Sequence, residues 1–387
     1  MRIALLTDGI SPYVLGGMQR HSFYLAKYFA KNKIYVDLFH FNQSSLNIEL
    51  LDCFNDDEKI YINSFIIPFP KPGKLPGHYI RESKKYSEII FEIIKPKLNT
   101  YDFIYTKGFS GWKLIIEKSK GLKCPPIGIN FHGYEMFQEP DNRLSSKLKK
   151  KFMNFFAKKI IDKSDYVFSY GSKITDLLIE EAHVQECKII EIPSAIEDKW
   201  LLNGVKQTNS IIIFLFIGRF DERKGLKELN NVLNDLLKNN ELEFKFQFIG
   251  PIINEAKIFH TKIEYLGEIR DDANMKKHLE KADVIVCPSY SEGMPNVIIE
   301  AMANKMAVIA SDVGAVNLLV NEKNGVLISP RNIDELKSAI LHYINLDKGK
   351  LVEQQNNSYK IIKNNFLWEE IILTTLTKIK KISEPIK

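Results

Sequence analysis

The chain has 387 residues, enough for two to three domains, and 54 Lys plus Arg against 48 Asp plus Glu leave a net charge of +6. So small an excess does not mark a nucleic-acid binder, and 26% charged with 45% hydrophobic residues excludes wholesale disorder and fibrous architectures. Cys53, Cys124, Cys187 and Cys287 lie far apart, with no CxxC and no Cys/His group at zinc spacing, so a reducing compartment fits better than a disulfide scaffold. The longest apolar run, residues 211–217, has seven residues, far below the roughly 18 that cross a bilayer. Ala4-Leu5-Leu6 is followed almost at once by Asp8, unlike a signal peptide. The expectation is a cytoplasmic protein.

Short runs rich in β-branched and aromatic residues alternate with helical stretches. In the first half the predicted strands are residues 2–7, 34–41, 103–107, 127–131, 166–169 and 188–192. In the second half they are 211–217, 244–249, 263–266, 284–287, 308–311 and 326–328. Several are apolar without alternation, as in strands buried on both faces of a parallel sheet. Strand, crossover helix, strand is the α/β pattern. Residues 193–207 are polar and turn-rich, and the pattern restarts after them. Two doubly wound parallel-sheet domains are therefore expected, 1–200 and 206–365. The chain closes on a lysine-rich helix whose apolar stripe is Trp368, Ile372, Leu376, Ile379 and Ile382.

Four segments carry candidate chemistry. Gly16-Gly17-Met18-Gln19-Arg20-His21 follows the first strand and opens a helix. Paired glycines there admit an anion to a helix N-terminus, or simply make a turn. Asn130-Phe131-His132-Gly133-Tyr134-Glu135 ends a buried strand, where open α/β sheets place ligands. His132 there can donate to a sugar hydroxyl, carry a proton, or be satisfied by nearby backbone. Gly218-Arg219-Phe220-Asp221-Glu222-Arg223-Lys224-Gly225 follows the most hydrophobic strand. Arg219 and Lys224 suit a diphosphate, the first as a fork and the second as a point charge.

The fourth segment, Ser289-Tyr290-Ser291-Glu292-Gly293-Met294-Pro295-Asn296-Val297-Ile298-Ile299-Glu300-Ala301-Met302-Ala303, is the most specific. Gly293 and the amides from Met294 to Val297 can cradle phosphate at a helix start, although Pro295 has no N–H. Flanking carboxylates of glycosidases stand about 5–9.5 Å apart. Eight helical residues between Glu292 and Glu300 would separate their Cα atoms by roughly 12 Å. Two different tasks on one ligand fit these glutamates better than a hydrolytic pair.

Together these segments resemble the GT-B glycosyltransferases, specifically the retaining, nucleotide-sugar-dependent family 4, over nearly the whole chain. The resemblance rests on Glu292-x7-Glu300 in its setting and on Gly218-Arg219 with Lys224-Gly225. Asp312-Val313-Gly314 resembles the family's glycine turn. Pro193-Ser194-Ala195-Ile196 resembles its interdomain Pro-Asn-Gly segment, with Ser194 and Ala195 departing from it. The resemblance implies a GT-B fold, with two Rossmann-like domains facing a cleft and helix 366–387 crossing back to the first.

It also implies roles. Arg219 and Lys224 bind the donor diphosphate; Gly17, with Gly16 beside it, approaches the same phosphates. Glu300 binds the ribose, Glu292 with the backbone of Gly293, Met294, Pro295 and Asn296 holds the donor sugar, and Val297 also belongs to the donor-binding segment. His132 sits over the reacting sugar. The stretch 264–269, with Gly267 and Ile269, lines the nucleobase pocket. The catalytic set implied is His132, Glu292, Arg219 and Lys224. The reaction implied is transfer of a hexosyl or N-acetylhexosaminyl group, with retention, from a nucleotide sugar, UDP-linked by family frequency, to a glycan, glycolipid or other hydroxyl acceptor. No metal or cofactor is expected, since there is no DxD motif and no His/carboxylate cluster at ligand spacing.

From Arg143 to Ser164 the chain carries Arg143, Lys147, Lys149, Lys150, Lys151, Lys158, Lys159 and Lys163 against Asp162 alone. With Leu148, Phe152, Phe155, Phe156 and Ile160 this reads as a basic amphipathic helix. It would either rest on an anionic membrane, from the cytoplasmic face, near a lipid-linked acceptor, or pack its Phe residues into the core. The acceptor loops implied are 69–78 and 137–143. A nucleotide-sugar epimerase, a phosphorylase and a non-catalytic nucleotide-sugar-binding subunit are the alternatives. Nucleic acid is not an expected partner.

Overall fold

The computed structural model describes residues 1–14, 16–41, 52–71, 73, 77–138, 144–207 and 209–383, without the side chains of 144–149. The chain divides into two compact units, Met1–Pro193 with Trp368–Lys387, and Ser194–Leu367.

The first unit is built on seven strands: β1 (Arg2–Leu6), β2 (Tyr35–His40), β3 (Ile62–Ile66), β4 (Phe103–Lys107), β5 (Ile127–Asn130), β6 (Tyr166–Ser169) and β7 (Ile189–Glu191). All pair in parallel, in the order β3-β2-β1-β4-β5-β6-β7. Ile3 stands opposite Val36 on one side and Phe103 on the other. Every residue of β4 is buried, as a central strand covered on both faces requires. Six strands lie where the apolar runs predict them. The seventh, β3, escapes sequence reading because Asn63 and Ser64 interrupt its apolar run; at the sheet edge it is only partly covered.

The second unit has six parallel strands: β8 (Ile212–Ile217), β9 (Phe244–Ile249), β10 (Ile263–Gly267), β11 (Val284–Cys287), β12 (Ala307–Ser311) and β13 (Gly325–Ile328). Their order is β10-β9-β8-β11-β12-β13. Phe214, Phe216, Phe246 and Phe248 pack with Leu229, Val232, Leu233 and Ile340 in one core. Each such buried side chain contributes about 1.5–3 kcal/mol of transfer free energy. All six strands coincide with predicted runs to within a residue at either end.

The polar segment after Pro193 belongs wholly to the second unit, so the division falls ahead of residue 200. Hydrogen bonds explain this. Leu202 N donates to Ala303 O at 2.9 Å, and Lys206 Nζ donates to Leu279 O at 3.2 Å and Asn304 O at 2.9 Å. The closing helix, Trp368–Ser383, belongs to the first unit. Trp368 is buried against His21, Tyr24 and Tyr28, and Tyr28 donates its hydroxyl to Glu369 at 2.9 Å. Ile372, Leu376 and Ile379 of its stripe are buried, whereas Ile382 is partly exposed.

Strand order reverses between β1 and β4 in the first unit and between β8 and β11 in the second. Doubly wound sheets bind ligands at the carboxyl ends of the strands flanking such a point. The predicted site segments leave β1, β5, β8 and β11 at that end.

Candidate active site

In the second unit, two loops are knitted together by backbone. Gly225 ends the loop after β8 at φ +65°, and a Cβ there would stand 2.1 Å from Pro288 O. Tyr290 N donates to Arg223 O at 2.7 Å. The loop after β12 closes on the same place. Gly314, at φ +56°, passes so near that a Cβ would lie 2.2 Å from Glu292 O, and Ala315 N donates to Gly293 O at 2.7 Å. Both positions need left-handed backbone and no side chain, which only glycine supplies without strain.

This scaffold brings Lys224 and Glu292 together, with Lys224 Nζ donating to Glu292 Oε1 at 2.6 Å. Burial alone would lower the Lys224 pKa, but the Glu292 charge and hydrogen bond, helped by Cys287, outweigh it and hold the ammonium above the ordinary lysine value. Asp221 accepts from Arg223 N at 3.1 Å and shapes the turn before Lys224. Arg219 is 68% exposed, 3.5 Å from Asp221. Both cations thus stand at the end of β8.

Met294 is buried, with Ser194 N donating to its Sδ at 3.2 Å. Pro295 precedes helix Asn296–Ala303, whose first amides, including Asn296 and Val297, have no intrahelical acceptor. Glu300 is buried on that helix, at 5% exposure. The two glutamates therefore occupy different surroundings, one ion-paired at the loop and one enclosed on the helix. Gly267 closes β10 at φ +73°, accepting from Gly250 N at 2.8 Å, and Ile269 lies half-buried just beyond.

In the first unit, the Gly16-Gly17 and His132 segments meet. A Cβ on Gly17 would lie 3.1 Å from His132 Nε2. His132 has φ +63°, held by its own amide donating to Asn130 Oδ1 at 2.6 Å. Asn130 in turn donates to Tyr105 Oη at 3.1 Å. Non-glycine residues in this region of φ cluster at functional positions. Tyr170 Oη bonds His132 Nδ1. Burial, with the Lys107 charge second, lowers the His132 pKa to about 3.

Sequence reading gave no role to four neighbours here. Lys107, fully buried at the end of β4, lies 3.0 Å from His21 Nδ1. Burial pulls its pKa down to about 7, against the Asp8 charge. His21 packs edge-on to His132 with centroids 5.9 Å apart. Asp8, just beyond β1, accepts from Gln19 Nε2 at 2.9 Å, and burial raises it to about 6. Tyr170 follows β6. A lysine ending an otherwise uncharged buried strand was the one available signal.

A family profile described as Glycosyltransferase Family 4 matches residues 15–200, and one described as Glycosyl transferases group 1 matches 212–345. The chain belongs to the group 1 glycosyltransferases. Its two parallel-sheet units are those of the GT-B fold. It is similar to a glycosyltransferase assigned to teichuronic acid biosynthesis in Bacillus subtilis (strain 168), 33% identical over 129 residues, 33% of this chain and 32% of that one. It is also similar to the Escherichia coli UDP-Gal:alpha-D-GlcNAc-diphosphoundecaprenol alpha-1,3-galactosyltransferase, 25% identical over 69% of this chain and 72% of the relative. In three curated relatives, the Bacillus protein among them, the match spans only 32–48% of the relative's length. Among solved structures, sucrose-phosphate synthase from Thermosynechococcus elongatus superimposes with a TM-score of 0.79 at 19% identity, covering 98% of each chain.

The basic stretch forms helix Leu144–Lys163. Ala157, Ile160 and Ile161 are buried and Phe156 packs on Trp112, but Phe152 and Phe155 are 48% and 63% exposed. Only part of the expected apolar stripe is core. Arg143 and the side chains of Lys147, Leu148 and Lys149 lie outside the described residues, as do residues 72, 74–76 and 139–143 of the two acceptor loops. Among the described residues, no helix is long and apolar enough to cross a membrane.

Proposed function

We propose that the protein transfers a sugar from a nucleoside diphosphate sugar, UDP-linked, to a hydroxyl of a lipid-linked glycan, with retention of anomeric configuration. The Lys224–Glu292 pair at the point where strand order reverses in the second unit carries this reading. Breaking a sugar–phosphate bond leaves negative charge on the diphosphate. Lys224, Arg219 and the amides of Gly293, Met294, Asn296 and Val297 meet that charge with fixed donors, the arrangement that stabilises a transition state without reorganisation. Glu292 accepts from a donor-sugar hydroxyl, and Glu300, enclosed on its helix, takes the ribose. In the first unit Gly17 lies against His132 Nε2, where a Cβ would stand only 3.1 Å away, and the donor phosphates approach along that backbone. The cations supply the positive charge, so transfer proceeds without a metal and persists in chelator.

The UDP donor and the polyprenol-linked acceptor are supported by the Escherichia coli relative, whose name specifies both classes. Exposed Phe152 and Phe155, on a helix carrying Lys151, Lys158 and Lys159, support docking at an anionic membrane surface where such an acceptor resides. Salt-sensitive sedimentation with phosphatidylglycerol vesicles is the expected result, and no sedimentation contradicts the membrane reading.

The test of the function is transfer of labelled sugar from UDP-glucose, UDP-galactose and their N-acetylated forms to diphosphoundecaprenol-linked saccharides, with the product anomer read by NMR. An α-linked product supports retention. Epimerised donor without acceptor, or sugar phosphate released from glycan by phosphate, identifies the epimerase or phosphorylase alternatives.

A further inference from the structure

The two nitrogens of the His132 ring have different surroundings. Nδ1 is bonded by Tyr170 Oη, and Tyr170 is buried at 2% exposure. Among the described residues the Tyr170 hydroxyl has no second hydrogen-bond partner. A hydroxyl carries one hydrogen. If His132 Nδ1 held a proton and donated to Tyr170, the tyrosine hydrogen would be left buried with no acceptor, an arrangement proteins avoid. If Tyr170 donates, both groups are satisfied and the imidazole proton falls on Nε2. Burial holds the Tyr170 hydroxyl well above its ordinary pKa, so it keeps the hydrogen to give.

Nε2 faces Gly17, close enough that a Cβ there would lie 3.1 Å from it. Nε2 makes no hydrogen bond among the described residues, so its N–H is presented to whatever enters beside that glycine. Beside the ring stand the ionisable groups Tyr170, His21 and Lys107, the last opposing a second positive charge, with Asp8 acting in turn on Lys107. The ring cannot easily turn over: the backbone is pinned by the Asn130 contact, and the Tyr170 ring stands edge-on at 83° with centroids 5.2 Å apart.

We propose that Tyr170 is a positioning residue that locks His132 as the neutral Nε2–H tautomer, so that His132 meets substrate as a hydrogen-bond donor to a sugar or phosphate oxygen and not as a general base. The proposal rests on the transferase reading for the identity of the substrate, but not for the tautomer.

Two-bond 1H–15N correlation of the full-length protein with 15N-labelled histidine, assigned with His132→Gln, reads both ring nitrogens directly at neutral pH. The wild type is expected to show Nδ1 unprotonated and Nε2 protonated. In Tyr170→Phe, which keeps the ring and removes only the hydroxyl, the two His132 resonances move toward an averaged pair, and turnover falls about tenfold, less than the roughly 10²-fold lost when one preorganised donor is removed outright. A wild-type Nδ1 that carries the proton overturns the proposal, as does a Tyr170→Phe spectrum unchanged at His132. Absence of transferase activity with a wild-type spectrum as expected sinks the transferase reading and leaves the tautomer assignment standing. The wild-type measurement needs no variant to fold.

Discussion

The two units use the same place in the same kind of sheet for opposite chemistry. After β8 and β11 the second unit gathers opposed charges, Lys224 on Glu292 with Arg219 exposed nearby, on loops held by backbone contacts at Gly225 and Gly314. After β1, β4, β5 and β6 the first unit gathers His21, Lys107, His132 and Tyr170, buried and aromatic, with burial pushing both histidines and the lysine toward their neutral forms. On the proposed reading, the fold sets where a ligand goes. The side chains at the strand ends decide whether it meets charge or neutral hydrogen-bond donors.

The sharpest break of this contrast lies in the charged site. Lys224→Ala and Glu292→Ala are each expected to cut turnover on the order of 10³-fold, with Arg219→Ala smaller, about 10- to 100-fold, because that side chain is mostly solvated. Circular dichroism should show all three folded. Wild-type-like turnover in the three removes the site assignment.

Gly314→Ala comes next. Its Cβ would strike Glu292 O, so the 292–293 loop must move or the left-handed turn must open. Loss of nucleotide binding, with a stability cost of about 1 kcal/mol or more, is expected. Unchanged nucleotide affinity by calorimetry would show that the loop is not held from this side.

In the neutral site, His132→Ala should cost about 10²-fold in turnover, the loss typical of one preorganised donor. Substrate affinity should change less than turnover; an effect confined to KM would place His132 in ground-state binding alone.

The smallest effect concerns stability. Asp8 is raised to about 6 by burial, from an ordinary value of 3.8. Between those values the folded chain holds a proton that the unfolded chain has released. Stability from this group is thus lost as pH rises through that window and stays lost above it. Asp8→Asn should melt higher than wild type at pH 7, with the gap closing toward pH 4. A variant that melts lower at pH 7 would show that the charged form is the stabilised one.

The contrast also explains what could be read from sequence. The residues of the proposed charged site could be picked out because most of them are contiguous: one stretch supplies Glu292, the open amides at the start of helix Asn296–Ala303 and Glu300, and another supplies Arg219 and Lys224. The neutral site draws single residues from the ends of separate strands. Lys107 and Tyr170 have no neighbours in sequence that announce them, and only the sheet register brings them to His21 and His132. The same reason separates the strands. Twelve were read from runs rich in β-branched and aromatic residues, whereas β3 mixes Asn63 and Ser64 into an edge position that never needed to be wholly apolar. The exposure of Phe152 and Phe155 was equally hidden, since helical spacing alone cannot tell a core stripe from a surface one.

The most direct measurement is a thermal-shift series with UDP, GDP, ADP and their sugar conjugates on the wild type and on Lys224→Ala. Binding at a hundredfold excess over Kd adds about 2.7 kcal/mol of stability. Stabilisation of the wild type by UDP and UDP sugars, absent in Lys224→Ala, is the predicted result. Equal stabilisation of both proteins, or none by any nucleotide, would contradict a diphosphate site at Lys224.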